Sequence, residues 1–333
     1  MKRIAINGLG RIGRMVLRHC VATGPKDIEL VVANDLVPTD DLAYLIKYDS
    51  VHGTLPFPVT VEKDAVHVGD VTVKITAEKD PAQLPWKKLG IDAVIESTGF
   101  FTKRALAAKH LEAGARRVVI SAPATDADIT VVVGVNENKF DPKNHYVISM
   151  ASCTTNSLAP PLKVLMDSFG VDRAMATTVH AYTASQAIVD RPDRKRSRGR
   201  AAAVSLVPST TGSDVATTLV LPELKDRLRA LAIRAPIPDG AITDIVADLK
   251  KSATVEQVNA VFKMAAEGPL KGILGYTEEE LVSADIIGDT HSGIVHALST
   301  QVVQGSMVKI QVWYDNEFGY SRRLLDVIER LAL

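Results

Sequence analysis

Apolar positions along this chain switch repeatedly from short runs to helical spacing. Residues 3–7 form a short strand-like run that stops at Gly8, and residues 11–23 place Ile12, Val16, Leu17 and Cys20 at helical spacing before Gly24. A second apolar strand at 28–33 closes on Asn34-Asp35. Residues 54–85 break the alternation with short β-like runs at 59–62, 65–68 and 71–75 around Gly69-Asp70, which reads as an inserted hairpin. The alternation returns with a strand at 91–96, the loop Ser97-Thr98-Gly99, a helix at 103–113, a strand at 117–121 and an apolar run at 129–135. A strand at 146–150 delivers Ala151-Ser152-Cys153-Thr154-Thr155-Asn156. After it, 158–169 has an apolar helical pattern with Pro160-Pro161 near its start, where a first helical turn tolerates proline. The fold class that follows is α/β, without internal repeat or low-complexity linker.

Length and charge narrow the picture. At about 150 residues per domain, 333 residues predict two domains, each able to bury its own core. Two cysteines, Cys20 and Cys153, give no CxxC pair and no disulfide framework, which fits a reducing, cytoplasmic setting. Residues 1–7 run into a glycine turn before any signal-like apolar stretch, and no run of 18 apolar residues occurs, so the reading is a soluble protein with no membrane partner. With 39 Lys+Arg against 39 Asp+Glu the formal charge is zero, which argues against general nucleic-acid binding, although 191–200 is locally very basic.

The first candidate chemistry is the turn Gly8-Leu9-Gly10-Arg11-Ile12-Gly13 between the first strand and helix. Its glycines permit a tight bend, close approach of backbone to a pyrophosphate and close helix-to-strand packing. Asp35, 22 positions after Gly13 at the end of the next strand, stands where an acid binds ribose hydroxyls. The plainer alternative is a tight turn with Asp35 as a helix cap. Thr98, Gly99 and Ser121 sit at carboxyl ends of strands, where ligand contacts and ordinary turn residues look alike on pattern alone.

The second is Cys153. It stands at or just before a helix N-terminus, where free N–H groups and the macrodipole favour thiolate, whereas Cys20 on the apolar side of the first helix fits a structural role. A nucleophilic thiol needs a base, and among eight histidines His180, at the end of the run 174–179, leads only modestly on spacing. His291 and His296 are five apart, which on a strand sets them on opposite faces; no metal is expected.

At Ala151–Asn156 together with His180-Ala181-Tyr182-Thr183 the sequence resembles the phosphorylating glyceraldehyde-3-phosphate dehydrogenases. The resemblance runs through Ile6–Gly13, Asn34-Asp35, 47–53, Glu96-Ser97-Thr98-Gly99, Ser121-Ala122-Pro123, 201–203, Thr210-Thr211-Gly212 and 313–317. It implies a Rossmann-type doubly wound parallel sheet domain at 1–150, joined by a C-terminal helix at 317–333. A second, α+β catalytic domain with a mostly antiparallel sheet is implied at 151–316, with strands at 173–179, 230–234, 241–249, 296–302 and 307–314. It further implies oxidation of glyceraldehyde 3-phosphate with NAD and inorganic phosphate to 1,3-bisphosphoglycerate, a step of glycolysis and gluconeogenesis. Cys153 would be the nucleophile, forming a hemithioacetal and then a thioester, and His180 the base. By the same analogy Thr183 and Arg234 hold the substrate phosphate, and Ser152, Thr154, Thr211 and Gly212 hold inorganic phosphate. Gly8, Gly10, Arg11, Ile12, Gly13, Asn34, Asp35, Lys79, Thr98, Gly99, Ser121 and Asn316 serve the cofactor. A homotetramer is implied, in which the loop 181–203 reaches a neighbour's cofactor.

The sequence departs from the family pattern in several places. Arg191-Pro192 stands where Leu-Pro is frequent, followed by Arg194, Lys195, Arg196, Arg198 and Arg200. The simpler expectation pairs these cations with acids of adjacent subunits. The sharper one has Arg191 compensate a 2′-phosphate and permit weaker NADP use, against which Asp35 argues by repulsion. Ser157 replaces a second cysteine, so oxidised Cys153 is expected to be capped by small thiols. Asp214 adds a negative charge near the phosphate loop, and the sequence does not say what Met150 or Asp239-Gly240 changes. The rival readings are an erythrose-4-phosphate dehydrogenase, a thioester hydrolase, and a dinucleotide-bound regulatory or RNA-binding protein without turnover. Thr183, the intact phosphate-site residues and the lack of Phe, Tyr or Trp over 184–203 weigh against them in turn.

Overall fold

The computed structural model describes residues 1–25 and 27–331, so 332–333 of the expected C-terminal segment lie outside the described residues. The chain divides into two compact units, one made of 1–133, 137–151 and 321–333, the other of 134–136 and 152–320.

Among the described residues the first unit carries a nine-stranded sheet. Its order is Val59–Glu62, Ala65–Val68, Val71–Thr76, Ile28–Asn34, Lys2–Asn7, Ala93–Glu96, Arg117–Ile120, Val147–Ser149, Ile129–Thr130. Every pairing from Val71–Thr76 onward is parallel. The inner strands are accordingly buried on both faces, with Ile4, Ala5, Ile6, Val94, Ile95 and Val119 fully enclosed. Chain order reverses at Lys2–Asn7, which has Ile28–Asn34 on one side and Ala93–Glu96 on the other. The carboxyl ends of these three strands form the switch point where open α/β sheets take ligands. The segment read as an inserted hairpin instead extends this sheet: two antiparallel pairings lead to Val71–Thr76, which joins Ile28–Asn34 in parallel. The helix expected at 103–113 is two short pieces, Arg104–Ala107 and Lys109–Glu112, and the run 129–135 contributes only Ile129–Thr130 to the sheet.

The second unit is built on an eight-stranded sheet ordered Val207–Ser209, Leu228–Ala235, Val171–Ala181, Ala241–Leu249, Met307–Tyr314, Gly293–His296, Leu274–Thr277, with Gln301–Val303 also on Met307–Tyr314. Only the pairs Val171–Ala181 with Leu228–Ala235 and Leu274–Thr277 with Gly293–His296 are parallel. The strand expected at 296–302 is thus two strands separated by the turn Ala297–Ser299, and His291 precedes the first of them. Ala241–Leu249 alternates buried and half-buried residues along its length, the mark of a sheet with one covered face. The helix Cys153–Phe169 packs on that face.

Pro160 and Pro161 fall in the middle of this helix, not in its first turn as expected, because the helix starts at Cys153. Each removes one internal N–H donor. The last helix, Phe318–Arg330, begins in the second unit and from Ser321 belongs to the first. Among the described residues no helix is long and apolar enough to cross a membrane.

Candidate active site and cofactor cavity

Cys153 is the first residue of its helix. Ser152 caps that helix: its Oγ accepts from the Thr155 N–H at 3.1 Å and lies 2.9 Å from the Thr155 hydroxyl. Two residues before Cys153, fully buried Ala151 takes a left-handed backbone with φ 53, a conformation that strains a non-glycine residue. The neighbouring strand Val171–Ala181 sets Nε2 of His180 3.4 Å from Cys153 Sγ. Next in register to His180 is Arg234, on Leu228–Ala235. Its Nη1 approaches His180 Nδ1 at 2.7 Å and the Ala181 carbonyl at 2.9 Å. The same carbonyl lies 2.8 Å from Nδ1. A guanidinium only donates and a carbonyl only accepts, so one ring nitrogen is offered two incompatible partners. With Arg234 in place, Nδ1 accepts and the ring proton is on Nε2; with Arg234 withdrawn, Nδ1–H can bond Ala181 and free Nε2 as a base.

Electrostatics correct one expectation. The helix start does not by itself yield a ready thiolate: burial pushes the Cys153 thiol up to about 11, partly opposed by the Arg234 charge and hydrogen bonds at Thr154. Burial, then Arg234, holds His180 down at about 3. Both partners of the free site are therefore neutral, and a proton moving from sulfur to nitrogen creates two adjacent opposite charges that compensate each other. Cys20 is a buried thiol pushed up to about 12 by desolvation, as its structural reading requires.

Around this pair the anion-site residues divide. The Thr183 hydroxyl meets Ser185 at 2.9 Å, and Arg198 bridges from Ser185 at 3.3 Å to Ser209 at 3.0 Å. Lys195 donates to Thr210 at 2.8 Å. These contacts bring Thr183, Arg198 and the segment 209–212 together. Within the basic loop, Lys195 and Arg198 bond hydroxyls of their own chain, and Arg200 pairs with Asp190 at 2.8 Å. Arg198 was hidden in a run of like charges, which carries no sign of which member turns inward. Gly212 is exposed ahead of the helix Ser213–Val220, with open space where a Cβ would stand. Thr211 accepts from the Ser213 N–H at 3.2 Å. Asp214 turns its carboxylate back to the Val215 N–H. The Thr154 hydroxyl is buried on Tyr314, 3.0 Å away, whose phenol also meets Thr178 at 2.7 Å and whose ring edges His180. The structure thus gives Thr154 an internal partner. Nε of Arg234 and Oδ1 of Asn316 are buried without a hydrogen bond among the described residues, a donor suited to phosphate and an acceptor suited to a carboxamide. Arg191 is exposed.

The first unit holds a cavity of about 320 Å³ at its switch point, lined by Asn7, Gly8, Gly10, Asn34, Asp35, Leu36, Glu78, Lys79, Ser97, Thr98, Phe100 and Phe101. Asp35 bonds the Leu9 N–H at 2.7 Å and the Val37 N–H at 3.0 Å, tying the acid to the glycine turn. Gly8 has φ +96, and a Cβ on Gly13 would lie 2.0 Å from the Gly8 carbonyl oxygen, so these two glycines set the approach of helix to strand. Gly10 faces open space, the cradle a pyrophosphate needs. Gly13, Arg11, Ile12, Gly99 and Ser121 do not line the cavity. Arg11 is engaged with Asp49, and Ser121 N–H with the Glu96 carbonyl. Sequence reasoning missed Glu78, Phe100 and Phe101; Phe100 is 80% exposed and offers a flat apolar surface to the cavity, and two consecutive Phe in a loop follow no strand or helix period by which to find them. The donors, the open cradle and the acid fit a dinucleotide.

Comparison with known proteins agrees with this geometry. Residues 2–104 match the family model described as glyceraldehyde 3-phosphate dehydrogenase, NAD binding domain, and 152–316 match glyceraldehyde 3-phosphate dehydrogenase, C-terminal domain. The chain is 56% identical over 330 residues to a glyceraldehyde-3-phosphate dehydrogenase of Priestia megaterium, covering 99% of this chain and 98% of that one. It is 54% identical, with the same coverage, to glyceraldehyde-3-phosphate dehydrogenase 1 of Bacillus subtilis and to the enzyme of that name without a numeral from Geobacillus stearothermophilus. A cysteine–histidine pair on one unit, a dinucleotide cavity on the other and matches across nearly the whole length lead to one assignment: the chain belongs to the glyceraldehyde-3-phosphate dehydrogenase family.

Proposed function

We propose that this chain oxidises glyceraldehyde 3-phosphate to 1,3-bisphosphoglycerate, with NAD as oxidant and inorganic phosphate as acyl acceptor. The observation that carries the reading is the 3.4 Å contact of Cys153 Sγ with His180 Nε2, with Arg234 on the far side of the same ring. Arg234 and Thr183 bind the substrate phosphate. Drawing Arg234 toward that phosphate lets Nδ1–H bond Ala181, and Nε2 then takes the thiol proton. The thiolate adds to the aldehyde carbon, and the oxyanion rests on the Cys153 backbone N–H, one of the unpaired donors of the helix start. When bound, NAD would supply the acceptor for the hydrogen and electron pair that leave that carbon. His180 passes the thiol proton to that oxyanion to give the hemithioacetal hydroxyl and takes it back as the hydride leaves, so that an acyl thioester remains on Cys153 and the proton on the ring. Inorganic phosphate, held by Ser152, Thr211 and Gly212 with the charge of Arg198 nearby, attacks the acyl carbon and the sulfur departs. Thr154 supports this site through its bond to Tyr314.

In the first unit Gly8, Gly10, Asn34, Asp35, Lys79 and Thr98 contact the cofactor; the Asn316 amide is suited to a carboxamide. The enzyme works in the cytoplasm as a homotetramer. Met175, Leu231 and Met307 are exposed on the second unit's sheet, and a groove of about 430 Å³ lined by Arg173, Met175, Arg229 and Met307 supports burial against another copy.

Initial-rate cofactor reduction tests the reading: turnover requires glyceraldehyde 3-phosphate, NAD and phosphate together, and iodoacetamide abolishes it. Turnover with erythrose 4-phosphate but not with the three-carbon aldehyde overturns the substrate. Light scattering that finds a monomer overturns the tetramer.

A further inference from the structure

A polar chain, buried from Trp86 to Asn34 and half-buried beyond, runs through the first unit from its core to the cofactor cavity. It starts at Trp86, whose indole N–H donates to His110 Nδ1 at 2.9 Å. An indole nitrogen can only donate, so Nδ1 accepts and the His110 proton sits on Nε2, aimed at Glu96 Oε2 at 3.0 Å. Asn7 Nδ2 donates to the same oxygen at 2.6 Å. The other oxygen accepts from the Thr98 N–H at 2.8 Å and the Thr98 hydroxyl at 2.5 Å. Four donors converge on one carboxylate that is 1% exposed. Four donors on its two oxygens suit a carboxylate, whose oxygens only accept.

That property dictates every joint beyond it. Because Asn7 turns its amide nitrogen to Glu96, its oxygen faces Asn34 and accepts from Nδ2 at 2.8 Å. Asn34 is thereby oriented too. Its Nδ2 donates to the Glu78 carbonyl at 2.9 Å, and its Oδ1 accepts from the Glu78 N–H at 2.8 Å and the Thr76 hydroxyl at 3.0 Å. Asn34 thus clamps both peptide groups of Glu78, which with Lys79 and Thr98 lines the cavity. An amide is nearly symmetric in shape, and only its neighbours say which end is which.

We propose that Glu96 is a positioning residue for the dinucleotide: its charge fixes the direction of the Asn7 and Asn34 amides and so holds the segment carrying Glu78 and Lys79 in its binding geometry. Glu96 acts through Asn7 and Thr98 and lies outside the cavity lining. The inference rests on assigning this cavity to NAD.

The test is calorimetric NAD binding, with KM and kcat measured alongside. Glu96→Gln puts an amide nitrogen against donors, and the Kd and KM for NAD rise about tenfold while kcat at saturating NAD stays within about twofold. The double variant Asn7→Asp with Glu96→Gln moves the acceptor-only group one joint along. It can still receive Asn34 Nδ2, and so recovers most of the lost affinity. Val118→Ala, a cavity in the core of the same unit, lowers stability without moving the Kd. Should Glu96→Gln not fold, Asn34→Asp tests the same relay, since a carboxylate there faces the Asn7 oxygen and the Glu78 carbonyl. An unchanged Kd in the folded variant, or a double variant no better than Glu96→Gln, overturns the proposal. Asp35→Ala separates this from the underlying assignment: if it too leaves the Kd unchanged, the cavity is not the cofactor's; if it weakens binding while Glu96→Gln does not, the relay alone fails.

Discussion

Arg234 Nη1 lies 2.7 Å from Nδ1 of His180, so the cation proposed to bind the substrate phosphate is also a partner of the ring proposed as base. Arg234→Leu removes both functions. The kcat/KM for glyceraldehyde 3-phosphate falls about 10- to 100-fold, the worth of one set of charged hydrogen bonds. For unphosphorylated glyceraldehyde the loss is much smaller. Because the Arg234 charge depresses His180, its removal moves the ring pKa upward, and the acidic limb of the rate profile shifts to higher pH. Equal losses for the two aldehydes rule out a contact with the substrate phosphate.

A second arginine, Arg11, has a structural role that its place in the glycine turn did not reveal. Its guanidinium pairs with Asp49, whose side chain is 1% exposed. Burial alone would raise the Asp49 pKa, but the Arg11 bond and the His52 and Val51 N–H groups outweigh it and hold the carboxyl well below the usual carboxylate range. A depressed folded-state pKa gives stability that is fully present above the unfolded value of about 3.9 and is lost as pH falls through the folded value. Asp49→Asn lowers unfolding stability at pH 7 by about 1–3 kcal/mol. Urea unfolding at pH 7 and pH 3 shows the gap narrowing at the lower value; a constant gap means the pair is not the cause.

These two arginines mark the limit of what the sequence discloses. The strand–turn–helix of residues 2–23, Cys153 at a helix start and the alternation of the first unit are local, because a period of 2 or 3.6 and a glycine at a turn are written in consecutive residues. His180 was only one histidine of eight until strand pairing set it beside the sulfur. Arg198 and Glu96 have no local signature: one belongs to a run of cations, the other ends an apolar strand, and each is defined by partners far along the chain. Pro160 and Pro161 misled for the opposite reason, since a local rule placed the helix start too late. The split between Gly293–His296 and Gln301–Val303 is a turn without glycine or proline, so nothing in that stretch announces it.

Cofactor choice turns on Asp35, whose two oxygens hold the Leu9 and Val37 N–H groups. Its charge repels a 2′-phosphate, so wild-type turnover with NADP is well below that with NAD. Asp35→Ala relieves the repulsion but also frees the glycine turn: NAD affinity falls and the NADP-to-NAD ratio of kcat/KM rises about tenfold or more. Arg191→Leu removes the cation offered to that phosphate and lowers residual NADP turnover while sparing NAD. If NADP turnover does not change, Arg191 plays no part in cofactor choice.

The glycines of the turn separate packing from binding. A Cβ at Gly13 would meet the Gly8 carbonyl oxygen at 2.0 Å, backbone that cannot move without unseating the helix from its strand. Gly13→Ala therefore lowers the thermal midpoint and weakens NAD binding together. At Gly10 a Cβ meets nothing, and φ is −67, a value any residue adopts. Gly10→Ala leaves the midpoint within about 1 °C, because surface changes away from packing features are nearly neutral. Its methyl nevertheless stands where the pyrophosphate approaches the helix start, so the Kd for NAD rises. Thermal melts and calorimetry on both variants decide the matter: if Gly10→Ala binds NAD as wild type does, the cofactor's phosphates do not come to this turn, and its glycines serve packing alone.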